Sequence, residues 1–131
     1  MLSPRALIES YVAAFNAGDI DAVVGLHTSD AVIHGVFGWG SVREVAAPVW
    51  RDLHACLEMK LTIEGLVVEG STVAVRYTER GRSVADFRGR PATGRVYELV
   101  AMEWYEIADG LIARRWGARD STAQAKQLGW E

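Results

Sequence analysis

Asp120, Glu103 and His34 are the residues of this chain whose types and positions could move a proton. Asp120 ends a long strand-like run, beside Trp116 and Ala118. A carboxylate partly desolvated there would have its pKa raised towards a useful acid/base range. The same residue precedes the short helical pattern Ser121 to Leu128, and Asp is also a good N-cap. Glu103 lies between Met102 and Trp104. If Asp109-Gly110 forms a two-residue hairpin loop pairing Ala108 with Leu111, Glu103 falls opposite Trp116. By strand parity it then shares a face with Trp116, Ala118 and Asp120. Two carboxylates on one inner face push their pKa values apart, which divides acid from base; the opposing reading makes this face the solvated one. His34 stands alone in an apolar stretch, either as a hydrogen-bonded wall residue or as a neutral donor to a ketone or epoxide oxygen. His27 and His54 fall on helical patterns with no partner in view.

Trp39, Trp50, Trp104 and Trp116 could wall a pocket for a flat apolar ligand or simply fill a core. Arg76 and Arg80 share one strand face, and Val73, Val75 and Tyr77 share the other. Plain alternation turns the apolar set inward. Cys56, among Leu53, Ala55 and Leu57, reads as a small core residue. No phosphate loop or dinucleotide fingerprint is present, and the isolated histidines offer no metal-ligand spacing. No cofactor and no metal are expected.

The elements that must position these residues can be read from pattern. Ser3-Pro4 opens a helix carrying Leu7, Ile8, Tyr11, Val12 and Phe15 on one face, and Gly18 ends it. Asp19 caps a second, short helix with Ile20, Val23, Val24 and Leu26, broken at Asp30, before a strand over residues 31–37. Ser41 to Glu44 matches a capping box for a third helix with Val42, Val45, Val49, Leu53 and Leu57 on one stripe. Pro48 falls inside it, and a bend there is expected. Met59 to Val68, Thr72 to Val84, Arg95 to Ile107 and Leu111 to Arg119 read as strands, with a closing helix over Ser121 to Leu128. This order predicts an α+β fold, three N-terminal helices packed on a curved antiparallel sheet. Strands of about a dozen residues twist and coil, so a helix laid across the concave side leaves a conical pocket.

With 131 residues and half of them hydrophobic, the chain suits one domain over positions 1–131. The 14 basic and 17 acidic side chains build no electropositive footprint, which argues against nucleic acid. A single cysteine fits a reducing compartment. No signal peptide and no bilayer-spanning run are read, so a cytoplasmic location without a membrane partner is expected.

The segment Tyr11 to Asp19, then Asp30 to His34, resembles the opening of SnoaL-like proteins within the NTF2-like superfamily. The similarity continues through Val75 to Thr78, Gly81, Phe87, Gly89 and Pro91 to Arg95, and closes with Asp109 to Ile112, Trp116, Asp120 and Gln127 to Gly129. It implies a cone-shaped fold and, in the manner of polyketide cyclases, acid/base chemistry on a small, mostly apolar, polyketide-like molecule. The resemblance makes Asp120, four residues after Trp116, the general acid/base, with His34 as helper. The histidine that relatives carry after their second long strand is absent from Gly81-Arg82-Ser83. Tyr77-Thr78-Glu79-Arg80 also resembles limonene epoxide hydrolase, where an Asp-Arg-Asp triad opens an epoxide with water; here Arg82 stands where the second acid is needed. That resemblance turns Arg76 and Arg80 inward and leaves Val73, Val75 and Tyr77 on an outer face that a second subunit would cover, hence an expected homodimer. A non-catalytic ligand-binding module is the remaining alternative.

Overall fold

A computed structural model describes all 131 residues. Helix α1 (Pro4–Asn16) starts where Ser3 Oγ accepts from the Ala6 amide, with Pro4 in the first turn. Gly18 then takes a positive φ of 75° while the His54 ring lies against it, where a Cβ would collide. Conformation and packing both demand glycine there. Helix α2 (Ile20–Gly25) is capped by Asp19. It is shorter than expected, because strand β1 (His27–Gly35) already begins at His27. A hairpin leads into β2 (Gly38–Ser41), an edge strand that the glycine-rich sequence does not announce.

Ser41 Oγ accepts from the Glu44 amide, as the capping box requires. Residues Val42–Ala46 form a wide π-type turn, and the regular helix α3 (Ala47–Leu57) begins only after it, with Pro48 in its first turn. The expected bend at Pro48 is therefore replaced by a widened turn ahead of it. The proline has no amide hydrogen to give to the preceding turn, and the widening of that turn makes room for its ring.

Strands β3 (Lys60–Glu69), β4 (Thr72–Arg82), β5 (Val96–Ala108) and β6 (Leu111–Arg119) form the expected meander, and helix α4 (Ser121–Leu128) closes the fold. The sheet runs β2-β1-β6-β5-β4-β3. It is not wholly antiparallel, since β1 and β6 pair in parallel. Curled around its concave side, the sheet receives the apolar stripes of α1 and α3, including Leu7, Ile8, Phe15, Leu53 and Leu57. Each such side chain contributes about 1.5–3 kcal/mol by leaving water. No helix is long and apolar enough to cross a membrane.

The β5–β6 hairpin determines what faces the interior. Asp109-Gly110 makes the tight turn and Ala108 pairs with Leu111, as expected. Ile107 then pairs with Ile112 but Glu106 with Arg114, which leaves Ala113 as an extra residue. This bulge reverses the parity of everything beyond it. Glu103 consequently faces Gly117, not Trp116. Arg115, Gly117 and Arg119 turn inward, and Trp116 pairs with Trp104 on the convex face.

Candidate active site

A cavity opens between α3 and the concave side of β4, β5 and β6. Ile33, Val49, Leu53 and Leu61 give it apolar walls, and Val36 and Phe37, both partly exposed, sit at its rim. Its polar groups are Tyr11, Tyr77, Glu79, Glu103 and Arg119. Alternation along β4 delivers Tyr77 and Glu79 on the same face as Val73 and Val75, all buried.

Two arginine–carboxylate pairs organise the polar lining. Glu79 is saturated: Arg119 Nε donates to its Oε1 at 3.0 Å, Arg119 Nη2 and the Tyr97 hydroxyl both donate to Oε2, and Arg119 also donates to Gln124. Glu103 is different. Its Oε1 lies 3.3 Å from Arg115 Nη2, while Oε2 is buried with no hydrogen-bond partner. Its side chain is 20% exposed, so the carboxylate borders the cavity without being sealed off. Burial pushes its pKa above the ordinary glutamate range, and the opposing pull of the Arg115 charge does not cancel this.

Arg115 stands behind the cavity wall, fully buried. Its guanidinium carbon is 4.6 Å from the Tyr11 ring centre and 5.0 Å from those of Trp50 and Tyr105, an aromatic cage for a permanent cation. Nη2 donates to the Tyr11 hydroxyl at 3.1 Å, and Nη1 meets His27 Nε2 at 3.1 Å. His27 Nδ1 lies 2.8 Å from the Val23 carbonyl, which can only accept, so Nδ1 carries the proton and Nε2 accepts from Arg115. Burial and the Arg115 charge lower the His27 pKa to about 3, and the ring is neutral. Burial raises the pKa of Tyr11, whose hydroxyl keeps its proton.

Of the residues singled out from sequence, Glu103, Trp50 and Tyr77 line the cavity. Tyr77 shares a 2.7 Å hydrogen bond with the Tyr105 hydroxyl. Asp120 does not reach it: the side chain is exposed at the surface, where it caps α4 by accepting from the Ala123 amide at 3.0 Å. His34 lies on the convex face, stacked on Trp116 at 5.3 Å and edge-on to Trp39. Trp39 and Trp104 are exposed there too. Arg76 points outward, and Arg80 pairs with Glu98 on the surface, so the apolar set is the inward one on β4. His27 is a strand residue with a partner, against the helical expectation.

Sequence reasoning does not single out Glu79, Arg115, Arg119, Tyr97 or His27 as site residues. Glu79 has a signal, the parity it shares with Val73, Val75 and Tyr77. The two arginines have none, because only the bulge at Ala113 turns them inward.

The sequence profile of the SnoaL-like domain matches residues 8–115. Among solved structures, IdmH of Streptomyces antibioticus, a candidate polyketide cyclase, is 30% identical with a TM-score of 0.86, over 98% of this chain and 99% of that one. A candidate polyketide cyclase of Pseudomonas putida is 28% identical with a TM-score of 0.79, over 98% and 99% of the two chains. A limonene-epoxide-hydrolase-like epoxide hydrolase of M. tuberculosis shares the fold at 18% identity and a TM-score of 0.74, over 95% of this chain and 88% of that one. No curated protein sequence matches.

Proposed function

Since this chain belongs to the SnoaL-like domain family, we propose that it catalyses a cofactor-independent, acid/base cyclisation or isomerisation of a small, mostly apolar, polyketide-like molecule, with Glu103 as the proton-transfer group. The observation that carries this reading is the Glu103 carboxylate itself: one oxygen is held beside Arg115, and the other is buried without a partner in an apolar cavity. An unpartnered buried oxygen is costly and is satisfied by a ligand that donates a proton or a hydrogen bond.

In the cyclisation, Glu103 takes the proton from a carbon between two carbonyls. The enolate oxygen accepts a hydrogen bond from the Tyr11 hydroxyl, which Arg115 in turn polarises. The carbanionic carbon bonds to a second carbonyl carbon of the same molecule, and Glu103 returns its proton to the alkoxide formed. Glu79, with both oxygens engaged, keeps Arg119 and the far wall in place. The test is Glu103→Gln with a panel of β-diketones and β-ketoesters that carry a further ketone along the chain. Turnover falls by about 100-fold or more with the fold intact; undiminished turnover removes Glu103 from the mechanism.

A second reading, epoxide opening, is favoured by one feature: two carboxylates, each paired with an arginine, border one cavity together with Arg119. Here Glu103 would activate water, and the set would be Glu103, Glu79 and Arg119, without Arg80. Turnover of an epoxide in oxygen-18 water separates the two readings, because only hydrolysis carries solvent oxygen into the product. Ligand binding without turnover, unaffected by Glu103→Gln, would make the protein a binding module.

A homodimer through the sheet remains part of the proposal, on different residues from those expected by pattern. The convex face exposes Trp39, Val67, Val100, Met102 and Trp104. Together they make several hundred Å² of apolar surface, at the upper end of what a monomer carries and near what one side of a stable interface needs. Arg76, Arg114, Glu64 and Glu106 flank it with both signs of charge, as a two-fold mate requires. Sedimentation at micromolar concentration gives a dimer, and Trp104→Glu gives a monomer; a monomeric wild type overturns this.

A further inference from the structure

Glu103 is aimed by its neighbours, and two of those neighbours offer no side-chain group to the cavity contents. The first is His27. Arg115 divides its two terminal nitrogens, Nη2 toward Glu103 and Tyr11, Nη1 toward His27. With Nε unpartnered and aromatic faces around the guanidinium, Nη1–His27 is the hydrogen bond that fixes its rotation from the other end. His27 is itself locked by the Val23 carbonyl in the one tautomer that can accept. The second is Gly117, directly opposite Glu103 on β6. A Cβ built on Gly117 would stand 2.7 Å from Glu103 Oε1, the oxygen that meets Arg115. Any other residue at 117 forces the carboxylate to move.

We propose that His27 and Gly117 are positioning residues for the Glu103 carboxylate: His27 orients Arg115 through Nη1, and Gly117 leaves the space in which Glu103 reaches Nη2. The inference rests on the reading of Glu103 as the proton-transfer group, and it deepens that reading by assigning what sets its geometry. The other charged and titratable groups felt at this carboxylate are Glu79 on β4 and Arg119 on β6, with Tyr11 on α1 and Tyr77 on β4 also bordering the cavity. Around His27 the charges are Arg115 and Arg43. His27→Leu and Gly117→Ala substitute none of these residues.

The experiment tracks the Glu103 carboxyl directly, by NMR titration of protein labelled with carbon-13 at the glutamate carboxyl carbon, the signal identified by its loss in Glu103→Gln. His27→Leu removes the acceptor for Nη1, Arg115 swings from Glu103, and the titration midpoint rises by about one pH unit, a tenfold change in the proton affinity. His27→Gln keeps an acceptor and restores the wild-type midpoint within a few tenths. Gly117→Ala displaces the carboxylate without touching His27 and raises the midpoint as well. Midpoints unchanged in both His27→Leu and Gly117→Ala, with circular dichroism like wild type, overturn the proposal. If His27→Leu does not fold, His27→Ala, which also removes the acceptor for Nη1, takes its place beside Gly117→Ala. Because no turnover is needed, the outcome is separable from the catalytic reading. Shifted midpoints beside undiminished turnover in Glu103→Gln would leave the mount standing and remove its chemistry.

Discussion

Glu103 and Arg115 are diagonal neighbours on the concave face of β5 and β6, and their charged ends meet at 3.3 Å. Directly opposite Glu103 is Gly117, and directly opposite Arg115 is Tyr105. Diagonal partners on a sheet are farther apart than opposed ones, so a long side chain is needed to close the gap. Arginine closes it and keeps a second terminal nitrogen for His27.

Arg115→Lys therefore fails as a conservative change. A lysine ammonium is a point charge that cannot serve Glu103, Tyr11 and His27 together, nor lie flat among three aromatic rings. Urea unfolding gives a loss of about 2–4 kcal/mol, because charged and polar partners stay buried without their donor.

The two cavity carboxylates respond differently to neutralisation. Glu79→Gln removes the charge from a buried pair in which both oxygens are used, and costs about 3–5 kcal/mol. Glu103→Gln costs less, since Glu103 is partly exposed and one of its oxygens has no partner to lose. Chemical denaturation of the two variants side by side checks the order.

His27 makes the fold acid-sensitive. Its pKa falls from 6.5 in the unfolded chain to about 3 in the folded one, so between those values the unfolded chain binds the extra proton. The stability it contributes is intact above pH 6.5 and is lost progressively as pH drops towards 3. Over that window the loss is about 5 kcal/mol. His27→Gln flattens this part of the stability profile, and equal slopes in the two proteins would show that another group sets it.

Asp120→Ala loses a helix cap and about 1 kcal/mol of stability. Turnover stays at the wild-type level. A drop of 100-fold would restore Asp120 to the chemistry.

The chain order of helices and strands is legible because its signals are local. Ser3-Pro4, Asp19 and Asp120 cap the helices that their positions in the sequence suggest, and Asp109-Gly110 turns where it should. The site is less legible because it depends on parity. One additional residue, Ala113, reverses the β6 face, and no hydrophobic pattern betrays it in Leu111-Ile112-Ala113-Arg114-Arg115. Pattern alone leaves open whether Glu103 faces inward, and it gives Glu103 Trp116 and Asp120 as companions in place of Arg115 and Gly117. On β4 the alternation of Val73, Val75 and Tyr77 is the right guide, and it carries Glu79 inward with it. The arginines of that strand belong to the surface because Arg80 has Glu98 beside it there. His27 reads as helical because the apolar spacing of Ile20, Val23, Val24 and Leu26 runs past Gly25, where the helix in fact ends.

The parallel pairing of β1 with β6 joins residues about eighty positions apart. During synthesis the first two strands emerge long before the segment that completes their hydrogen bonds, so they must wait, unpaired on one side, until almost the whole chain has left the ribosome. Contacts that close so large a loop form late and slowly. The Arg115–His27 bond spans the same gap, so the grip on the Glu103 carboxylate is fastened only when the last strand docks, and a chain cut short before residue 111 has neither a continuous sheet nor a complete cavity wall.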